Sequence, residues 1–299
     1  MRTHFTGCGT ALVTPFTRSG SLDEAAVRRL GRRQMDAGVH FLVPVGTTGE
    51  SPTLTLAERL RIVEIVADEA RGRVPILAGA GGYDTKEVID VAVEMKKAGA
   101  DGLLSVTPYY NRPTQEGLFQ HFRAIAESTT LPIILYNVPG RTGCNIEPAT
   151  LVRLSSIPGI VGVKEASGNM TQMCEVCRLV PADFIVLSGD DAVTLPLMAV
   201  GGRGVISVVS NEMPADMVRM VEAAERGDFA AARAIHVRLM PLMQINFVES
   251  SPGPLKTAMA AMGLLEEVYR LPLVSPRRES KEKITNVLKD LGLLDATLV

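Results

Sequence analysis

The sequence contains no tryptophan, only four cysteines and only 4% aromatic residues, and its charges almost cancel. Its 31 basic and 33 acidic residues give a formal charge of −2, so it lacks the basic excess that binds nucleic acid or an anionic membrane surface. Its apolar segments are broken by glycine, proline or charge well before the roughly 18 residues that a membrane-spanning helix needs. These absences predict a soluble protein whose partners are small molecules.

The cysteines give no sign of a disulfide framework. Cys8, Cys144, Cys174 and Cys177 are scattered, and no signal peptide accompanies them, so we expect a reducing, cytoplasmic setting. Cys174 and Cys177 have the spacing of half a zinc or redox site, but they lie in a predicted helix without a second pair or a histidine at ligand spacing. No metal site is therefore expected.

What the sequence does contain is a repeat of short apolar runs, loops with glycine or proline, and amphipathic stretches of about ten residues or more. This alternation is typical of parallel βα units, and a hydrophobic content of 46% allows a large aliphatic core. The predicted strands are Gly9–Thr14, Phe41–Val45, Pro75–Ala80, Gly102–Val106, Pro132–Tyr136, Val161–Lys164, Phe184–Leu187 and Gly204–Val208. Eight such units in series predict a closed (β/α)₈ TIM barrel.

Beyond Val208 the pattern becomes mainly helical, with breaks at Gly227, at Ser251–Pro254 and at Leu271–Pro276. We predict a catalytic barrel over residues 1–227 and a C-terminal helical extension over residues 228–299. The extension is too short to build a large core of its own, so it should pack on the barrel.

The carboxyl ends of the strands are where a barrel of this kind places its active site. Four strand ends carry polar or reactive residues, and they are Gly46–Glu50, Thr107–Asn111, Tyr136–Arg141 and Lys164. Because these strand ends meet at one rim, we expect the four groups to share one pocket.

Lys164 ends the apolar run Ile160–Val163. An amine in an apolar setting is driven toward its neutral form, which attacks carbonyl carbons and forms imines. The alternative is a structural lysine that pairs with Glu165 or with an acid on a neighbouring strand. Imine chemistry also needs a proton relay and a carboxylate clamp, and candidates for both lie at the same rim.

Tyr136 is the candidate for the relay, with the Thr47 hydroxyl as its link and Tyr110 as the extension to solvent. The alternative is that Tyr136 is a core residue whose hydroxyl is satisfied by the protein. The sequence alone leaves both interpretations open.

Thr48 and Arg141 are the candidates for carboxylate binding. Thr48 and the backbone N–H groups of Gly46–Gly49 offer a nest for a small carboxylate, unless this loop is an ordinary tight turn. Arg141 follows a Pro-Gly turn, where a guanidinium can grip a second carboxylate through two hydrogen bonds, unless it is a surface arginine in solution.

Three segments have the residues, order and spacing of a known family, and they are Gly46–Glu50, Tyr136–Gly143 and Gly162–Ser167. The likeness continues through Tyr109–Asn111, Ser188–Asp191 and Gly204–Val208, so it covers nearly the whole chain. The chain resembles the dihydrodipicolinate synthase (4-hydroxy-tetrahydrodipicolinate synthase) family of the lysine-aldolase barrels. N-acetylneuraminate lyases of the same superfamily usually have serine in place of Thr47 and no arginine at the position of Arg141, so the resemblance favours the synthases.

The resemblance implies a lyase that condenses pyruvate with L-aspartate 4-semialdehyde to give 4-hydroxy-tetrahydrodipicolinate, the first committed step of diaminopimelate and lysine biosynthesis. It implies the imine with pyruvate on Lys164, the pyruvate carboxylate on Thr48, a relay of Tyr136, Thr47 and Tyr110, the semialdehyde carboxylate on Arg141, and a pocket lined by the backbone around Gly189 and Ile206. It implies no metal and no other cofactor. In the family the equivalent of Tyr110 crosses a tight dimer interface, and two dimers commonly form a homotetramer.

Two other functions stay open. The first is another pyruvate-dependent aldolase, an N-acetylneuraminate or 2-keto-3-deoxy sugar acid lyase, which product analysis would separate from a synthase. The second is a catalytically silent barrel that binds a 2-oxo acid as a sensor or scaffold. That function predicts the loss of Lys164, Tyr136 or Thr47, and all three are present.

Inhibition by L-lysine is expected to be weak or absent. In regulated members of the family, lysine occupies a cleft between subunits, in part through a histidine on the helix after the Gly46–Glu50 loop and an asparagine after the third strand. The residues offered here are Leu56 and Arg59 on that helix and Tyr83 at the second place, with Ser51, Glu87 and Tyr109 retained. A cationic ligand would meet the like charge of Arg59.

Overall fold

The computed structural model describes residues 5–294, in which eight parallel strands form one sheet that curls into a barrel. The strands are β1 (Gly7–Ala11), β2 (Phe41–Val43), β3 (Leu77–Gly79), β4 (Gly102–Val106), β5 (Ile133–Asn137), β6 (Ile160–Glu165), β7 (Ile185–Ser188) and β8 (Gly204–Ser207). The predicted (β/α)₈ TIM barrel is confirmed.

Helices surround the barrel and continue beyond it. They are α1 (Glu24–Asp36), α2 (Leu56–Ala70), α3 (Thr85–Lys97), α4 (Gln115–Ser128), α5 (Pro139–Thr142), α6 (Pro148–Ser155), α7 (Met170–Leu179), α8 (Thr194–Ala199), α9 (Pro214–Glu225), α10 (Phe229–Ile245), α11 (Gly253–Ala261) and α12 (Arg278–Asp290). In residues 5–294 no helix is long and apolar enough to cross a membrane.

The barrel closes between β2 and β3, which stand at the two ends of the strand order β2-β1-β8-β7-β6-β5-β4-β3. Leu42 forms a parallel bridge with Ile76, and its backbone N–H donates to the Pro75 carbonyl at 3.0 Å. The N–H of Gly79 donates to the Pro44 carbonyl at 3.1 Å. These hydrogen bonds complete the ring and fix the point at which the chain leaves β2.

Side chains alternate along each strand between the barrel interior and the outer layer of helices. The interior cluster contains Phe41, Leu104, Ile134, Tyr136 and Ile206, all buried. The larger cluster between sheet and helices is rich in valine, isoleucine and leucine. The alternation places neighbours in sequence on opposite faces, so each strand end presents one residue to the interior rim and the next to the helices.

The helices after α9 pack on one another and on the barrel. α10 packs along α9, and α12 packs against both α10 and α11. The predicted breaks at Gly227, Ser251–Pro254 and Leu271–Pro276 fall between these helices or at the start of α11. The division into residues 1–227 and 228–299 stays a prediction, and its two outer ends lie beyond the described residues.

A buried acid, Glu212, lies just before α9 and is only 1% exposed. One carboxyl oxygen accepts a hydrogen bond from the Asn246 amide at 2.6 Å, and the other has no protein partner within residues 5–294. The Arg33 guanidinium donates to the Glu212 backbone carbonyl at 2.6 Å rather than to its carboxyl group. Burial therefore raises the pKa of Glu212 to about 8, and it also raises the pKa of nearby Asp191.

Replacing Glu212 with glutamine is expected to flatten the pH dependence of stability. The unfolded chain ionises this carboxyl near its ordinary pKa of 4.5, whereas the folded protein keeps it neutral up to about 8. The stabilising contribution is therefore complete below the unfolded pKa and is lost as the pH rises through the folded pKa. The melting temperature of Glu212→Gln minus that of the wild type should grow from about pH 5 to about pH 8. A difference that stays constant across this range would contradict the prediction.

Candidate active site

Lys164 and Tyr136 lie side by side at the carboxyl ends of β6 and β5. They are register partners in the parallel pairing of the two strands, so their side chains leave the sheet on the same face. Lys164 is 5% exposed and Tyr136 6% exposed. The Lys164 Nζ lies 4.3 Å from the centroid of the Tyr136 ring, which places an amine and a phenol in contact inside the barrel rim.

The structural alternative for Lys164 required a carboxylate partner. Within residues 5–294 Lys164 forms no salt bridge, and Glu165 instead accepts hydrogen bonds from Asn137 and Ser167. Gly189, after β7, packs on the lysine stem, because a Cβ at this position would lie 3.1 Å from the Lys164 Cε. The amine is thus buried and has no acidic partner in the described residues, and a side chain at position 189 would crowd its stem.

A buried hydrogen-bond network fixes the same two strand ends from the outer face. Asn137 and Glu165 follow Tyr136 and Lys164 directly, and both are almost fully buried. The Asn137 amide donates to the Glu165 carboxylate at 2.9 Å, and the Ser167 backbone N–H donates to its other oxygen at 2.7 Å. Since buried polar groups that are satisfied this way are rigid, the network holds the phenol and the amine in register.

The loop Gly46–Glu50 after β2 is bounded by two strained residues. Val45 has a φ of 51° and Glu50 a φ of 55°, in the left-handed region that a β-branched residue rarely enters. Gly79 on β3 allows this geometry, because a Cβ there would lie 2.2 Å from the Val45 carbonyl oxygen. The loop shape therefore depends on the close approach of β3.

Within this loop Thr47 and Thr48 present unused backbone donors. No protein acceptor among residues 5–294 takes the N–H of either residue. The Thr14 hydroxyl donates to the Gly49 carbonyl at 2.6 Å and so secures the far side of the turn. Two adjacent free N–H groups on a buried, secured turn are suited to bind a small carboxylate.

A cavity of about 550 Å³ opens above the rim, and its lining includes Thr47, Tyr136 and Arg141. Lys164 does not line the cavity itself, but it contacts Tyr136, which does line it. Within residues 5–294 the hydroxyls of Thr47 and Tyr136 make no hydrogen bond with protein groups, so the alternative of a satisfied core tyrosine lacks its partner. Arg141 lies on α5 and donates to the Ser251 carbonyl at 3.1 Å.

The remaining predicted residues fall in different places. Thr48 and Ile206 are buried at the rim and in the barrel interior. Tyr110 is 91% exposed and has a φ of 69°, and it does not line the cavity. In a single chain, therefore, Lys164 contacts Tyr136 and lies beside Gly189. Thr47 and Arg141 line the same cavity as Tyr136, whereas Tyr110 lies outside it.

Comparisons with known proteins identify the family of the chain. A model of the dihydrodipicolinate synthetase family matches residues 4–291. The chain belongs to this family. The resemblance drawn from the sequence motifs is thus confirmed over nearly the full length.

Individual relatives match this chain over nearly their full length. The chain is 52% identical to the 4-hydroxy-tetrahydrodipicolinate synthase of Koribacter versatilis over 96% of each chain. It is 40% identical to the dihydrodipicolinate synthase of Acinetobacter baumannii, solved in complex with pyruvate, with a TM-score of 0.96 over 97% of this chain and 100% of that one. It is 39% identical to the synthase of Cyanidioschyzon merolae, solved with lysine bound, with a TM-score of 0.94 over 97% and 99%.

Two parts of the site were not predicted from the sequence. One is the Asn137–Glu165 network. The sequence did contain a sign of it, because a polar residue follows each of the rim residues Tyr136 and Lys164 and must find a partner on the outer face. The other is an ion pair between Glu50 and Lys256, with Oε1 and Nζ 2.6 Å apart and both side chains fully buried. These two residues are 206 positions apart, so no local pattern links them.

Proposed function

We propose that this enzyme condenses pyruvate with L-aspartate 4-semialdehyde to give 4-hydroxy-tetrahydrodipicolinate. The observation that carries the proposal is the contact of the Lys164 amine with Tyr136, 4.3 Å from amine to ring centroid, without a salt bridge to Lys164 in residues 5–294. A buried amine that no acid neutralises, beside a free phenol, is the equipment of imine formation. The reaction belongs to lysine and diaminopimelate biosynthesis, and we assign it to the cytoplasm.

In this proposal each rim residue has one task. The Lys164 amine attacks the keto carbon of pyruvate, and loss of water gives the imine. The hydroxyls of Tyr136 and Thr47, which line the same cavity, deliver and remove the protons of the carbinolamine. Removal of a methyl proton then gives an enamine, whose carbon attacks the aldehyde of the second substrate. The amino group of that substrate displaces Lys164 as the ring closes, so the amine is regenerated and no cofactor is consumed.

The two carboxylates are held by two different elements. The N–H groups of Thr47 and Thr48, with the Thr48 side chain, bind the pyruvate carboxylate, and Arg141 binds the carboxylate of the semialdehyde. Gly189 and Ile206 lie beside the imine, and Gly189 leaves room for the lysine stem because it has no side chain.

The decisive experiment supplies both substrates and couples the product to a dihydrodipicolinate reductase. Turnover that requires both substrates supports the synthase. The other pyruvate-dependent aldolases predict instead that N-acetylneuraminate or a 2-keto-3-deoxy sugar acid is cleaved to pyruvate, which the same preparation can be tested for. Cleavage of such a sugar acid without turnover of the semialdehyde would overturn the proposal.

Arg141→Ala is expected to impair use of the semialdehyde far more than use of pyruvate. Loss of a charge-assisted contact of this kind is worth about 1.5–3 kcal/mol, which is roughly a 10- to 150-fold fall in kcat/KM for the aldehyde. Arg153→Ala is a suitable control, because Arg153 pairs with Glu116 on the outer surface. Equal kinetics for wild type and Arg141→Ala would point to a different second substrate.

We also propose that the enzyme is a homotetramer built as a dimer of dimers, with Tyr110 entering the site of the partner subunit. Its 91% exposure in a single chain supports an assignment outside the subunit's own site. A phenol at the mouth of the partner's cavity would extend the relay of Tyr136 and Thr47 to solvent.

L-lysine is expected to inhibit weakly or not at all. The same cavity that Thr47, Tyr136 and Arg141 line is also lined by Ser51, Arg59, Tyr83, Glu87 and Tyr109. Tyr83 stacks edge to face on Tyr109, with ring centroids 5.3 Å apart, and so fills part of this space. A lysine ligand would bring its ammonium groups near the like charge of the Arg59 guanidinium, and among the described residues that line the cavity Glu87 is the acid that offsets this charge.

Titration of L-lysine into the coupled assay checks this expectation. Arg59→His should strengthen inhibition, because it replaces a permanent cation with a side chain that is largely neutral at pH 7. A Kd of about 1 mM corresponds to about 4 kcal/mol of binding free energy. Half-inhibition of the wild type below about 1 mM lysine would show that the cleft binds lysine without a histidine.

A further inference from the structure

The loop that carries Thr47 and Thr48 ends in a buried carboxylate. Glu50 pairs with Lys256 of α11, with Oε1 and Nζ 2.6 Å apart and neither side chain exposed. The Lys256 Nζ also lies 4.3 Å from the ring centroid of Phe16 and 5.5 Å from that of Tyr269. The ammonium is therefore enclosed by one carboxylate and two aromatic faces.

Glu50 depends on Lys256 for its neutralisation. Among residues 5–294 its Oε1 has the Lys256 ammonium as partner, and its Oε2 has no partner at all. Burial lowers the pKa of Lys256, and the charge of Glu50 opposes that shift. Two buried charges that satisfy each other attract strongly over a short distance, so the position of one fixes the position of the other.

The segment that carries Lys256 also contacts Arg141 of α5. Its residue Ser251 accepts a hydrogen bond from Arg141 through the backbone carbonyl at 3.1 Å. Five positions later Lys256 holds the end of the Gly46–Glu50 loop. A single short segment of the C-terminal helices thus contacts both elements that bind carboxylates in the proposed function.

We propose that Lys256 is a positioning residue for pyruvate, acting through Glu50 on the backbone N–H groups of Thr47 and Thr48. This inference rests on the proposed function, in which those N–H groups bind the pyruvate carboxylate. The start of the loop is fixed by the close approach of Val45 and Gly79, and its end is held by the Glu50–Lys256 pair together with the Thr14 hydrogen bond to the Gly49 carbonyl. Without the pair, one hydrogen bond holds the end of the loop, so the two donors shift and no longer point to one carboxylate.

The test measures imine formation and folding on the same full-length variants. Wild type, Lys256→Met, and the double variant Glu50→Gln with Lys256→Met are incubated with increasing pyruvate and reduced with borohydride, and the adduct on Lys164 is quantified by mass spectrometry. Melting temperatures are recorded in parallel. The control is Lys281→Met, because Lys281 of α12 pairs with Glu267 at the same 2.6 Å separation, and no hydrogen bond or salt bridge among residues 5–294 joins this pair to the Gly46–Glu50 loop.

The double variant removes both charges and so leaves no unpaired charge buried in the protein. Any change in pyruvate binding then reports the position of the loop rather than the cost of a buried charge. We expect it to melt close to the wild type, to reach full adduct at saturation, and to need about tenfold or more pyruvate for half-saturation, as misplaced binding groups typically demand. Lys281→Met should keep the wild-type half-saturation. A double variant that melts and half-saturates like the wild type would overturn the proposal, since the pair would then serve folding alone.

Two further results keep the outcomes distinct. Absence of any adduct on Lys164 in the wild type contradicts the proposed function itself, not only the role of Lys256. If the double variant does not fold, Glu50→Asp decides the matter, because it keeps the charge but withdraws the carboxylate by one methylene. A folded Glu50→Asp with raised half-saturation supports positioning, and one with the wild-type value overturns it.

Discussion

Lys164→Ala is expected to abolish both turnover and the borohydride-stable adduct with pyruvate. The imine splits a difficult condensation into easier steps, and loss of the residue that forms a covalent intermediate typically lowers kcat by about 10⁴-fold or more. Because Lys164 is 5% exposed and forms no salt bridge in the described residues, its removal leaves no partner charge behind. The variant should therefore fold.

The measurement is the mass of the peptide that contains Lys164 after reduction with pyruvate present. The wild type should gain one 1-carboxyethyl group on that peptide, the reduced form of the pyruvate imine, and Lys164→Ala none, while Lys281→Ala serves as the control for a lysine remote from the site. An adduct on another lysine, or full activity in Lys164→Ala, would refute the imine mechanism at this residue.

Tyr110→Phe is expected to lower turnover by about 10²–10⁴-fold, the usual value of one acid–base group, while leaving the pyruvate adduct detectable. Removal of one hydroxyl interrupts the proton relay but does not change the shape of the cavity. The strained φ of 69° is equally tolerated by phenylalanine, so folding should be unaffected. Steady-state kinetics in the coupled assay and borohydride trapping give the two readouts.

Mixing two inactive variants tests whether Tyr110 acts in the partner's site. In a hybrid dimer of Tyr110→Phe and Lys164→Ala, one site would have an intact lysine from one subunit and an intact tyrosine from the other. Unfolding and refolding the mixture together should restore part of the activity. If the mixture stays inactive while each parent refolds, Tyr110 acts within its own subunit or not at all.

The sequence predicted the barrel because buried parallel strands are runs of valine, isoleucine and leucine bounded by glycine and proline. It misplaced the first strand, which begins at Gly7 rather than Gly9. Gly7 faces Gly204 of β8 so closely that a Cβ on Gly204 would lie 2.0 Å from the Gly7 carbonyl oxygen. In a sequence, a glycine usually indicates a loop. Here glycine is required in the strands, because a side chain at this contact would prevent β1 from pairing with β8.

The rim residues were predictable for a similar reason, since the ends of parallel strands converge regardless of loop details. Lys164 and Tyr136 are 28 positions apart in sequence, yet the strand pairing makes them register partners. The Glu50–Lys256 pair could not be predicted, because it depends on how α11 docks after the barrel is complete. Tyr110 was predicted from its place after the fourth strand and from the family resemblance, but its exposure in one chain gives it no place in that chain's own site.

The buried carboxyl of Glu212 has a thermodynamic consequence beyond melting temperature. Near neutral pH the folded protein holds a proton there that the unfolded chain releases, so unfolding transfers that proton to the buffer. The heat absorbed on unfolding then includes the protonation heat of the buffer. Calorimetric enthalpies of this protein will therefore differ between phosphate and Tris at the same pH, and in Glu212→Gln that difference will shrink.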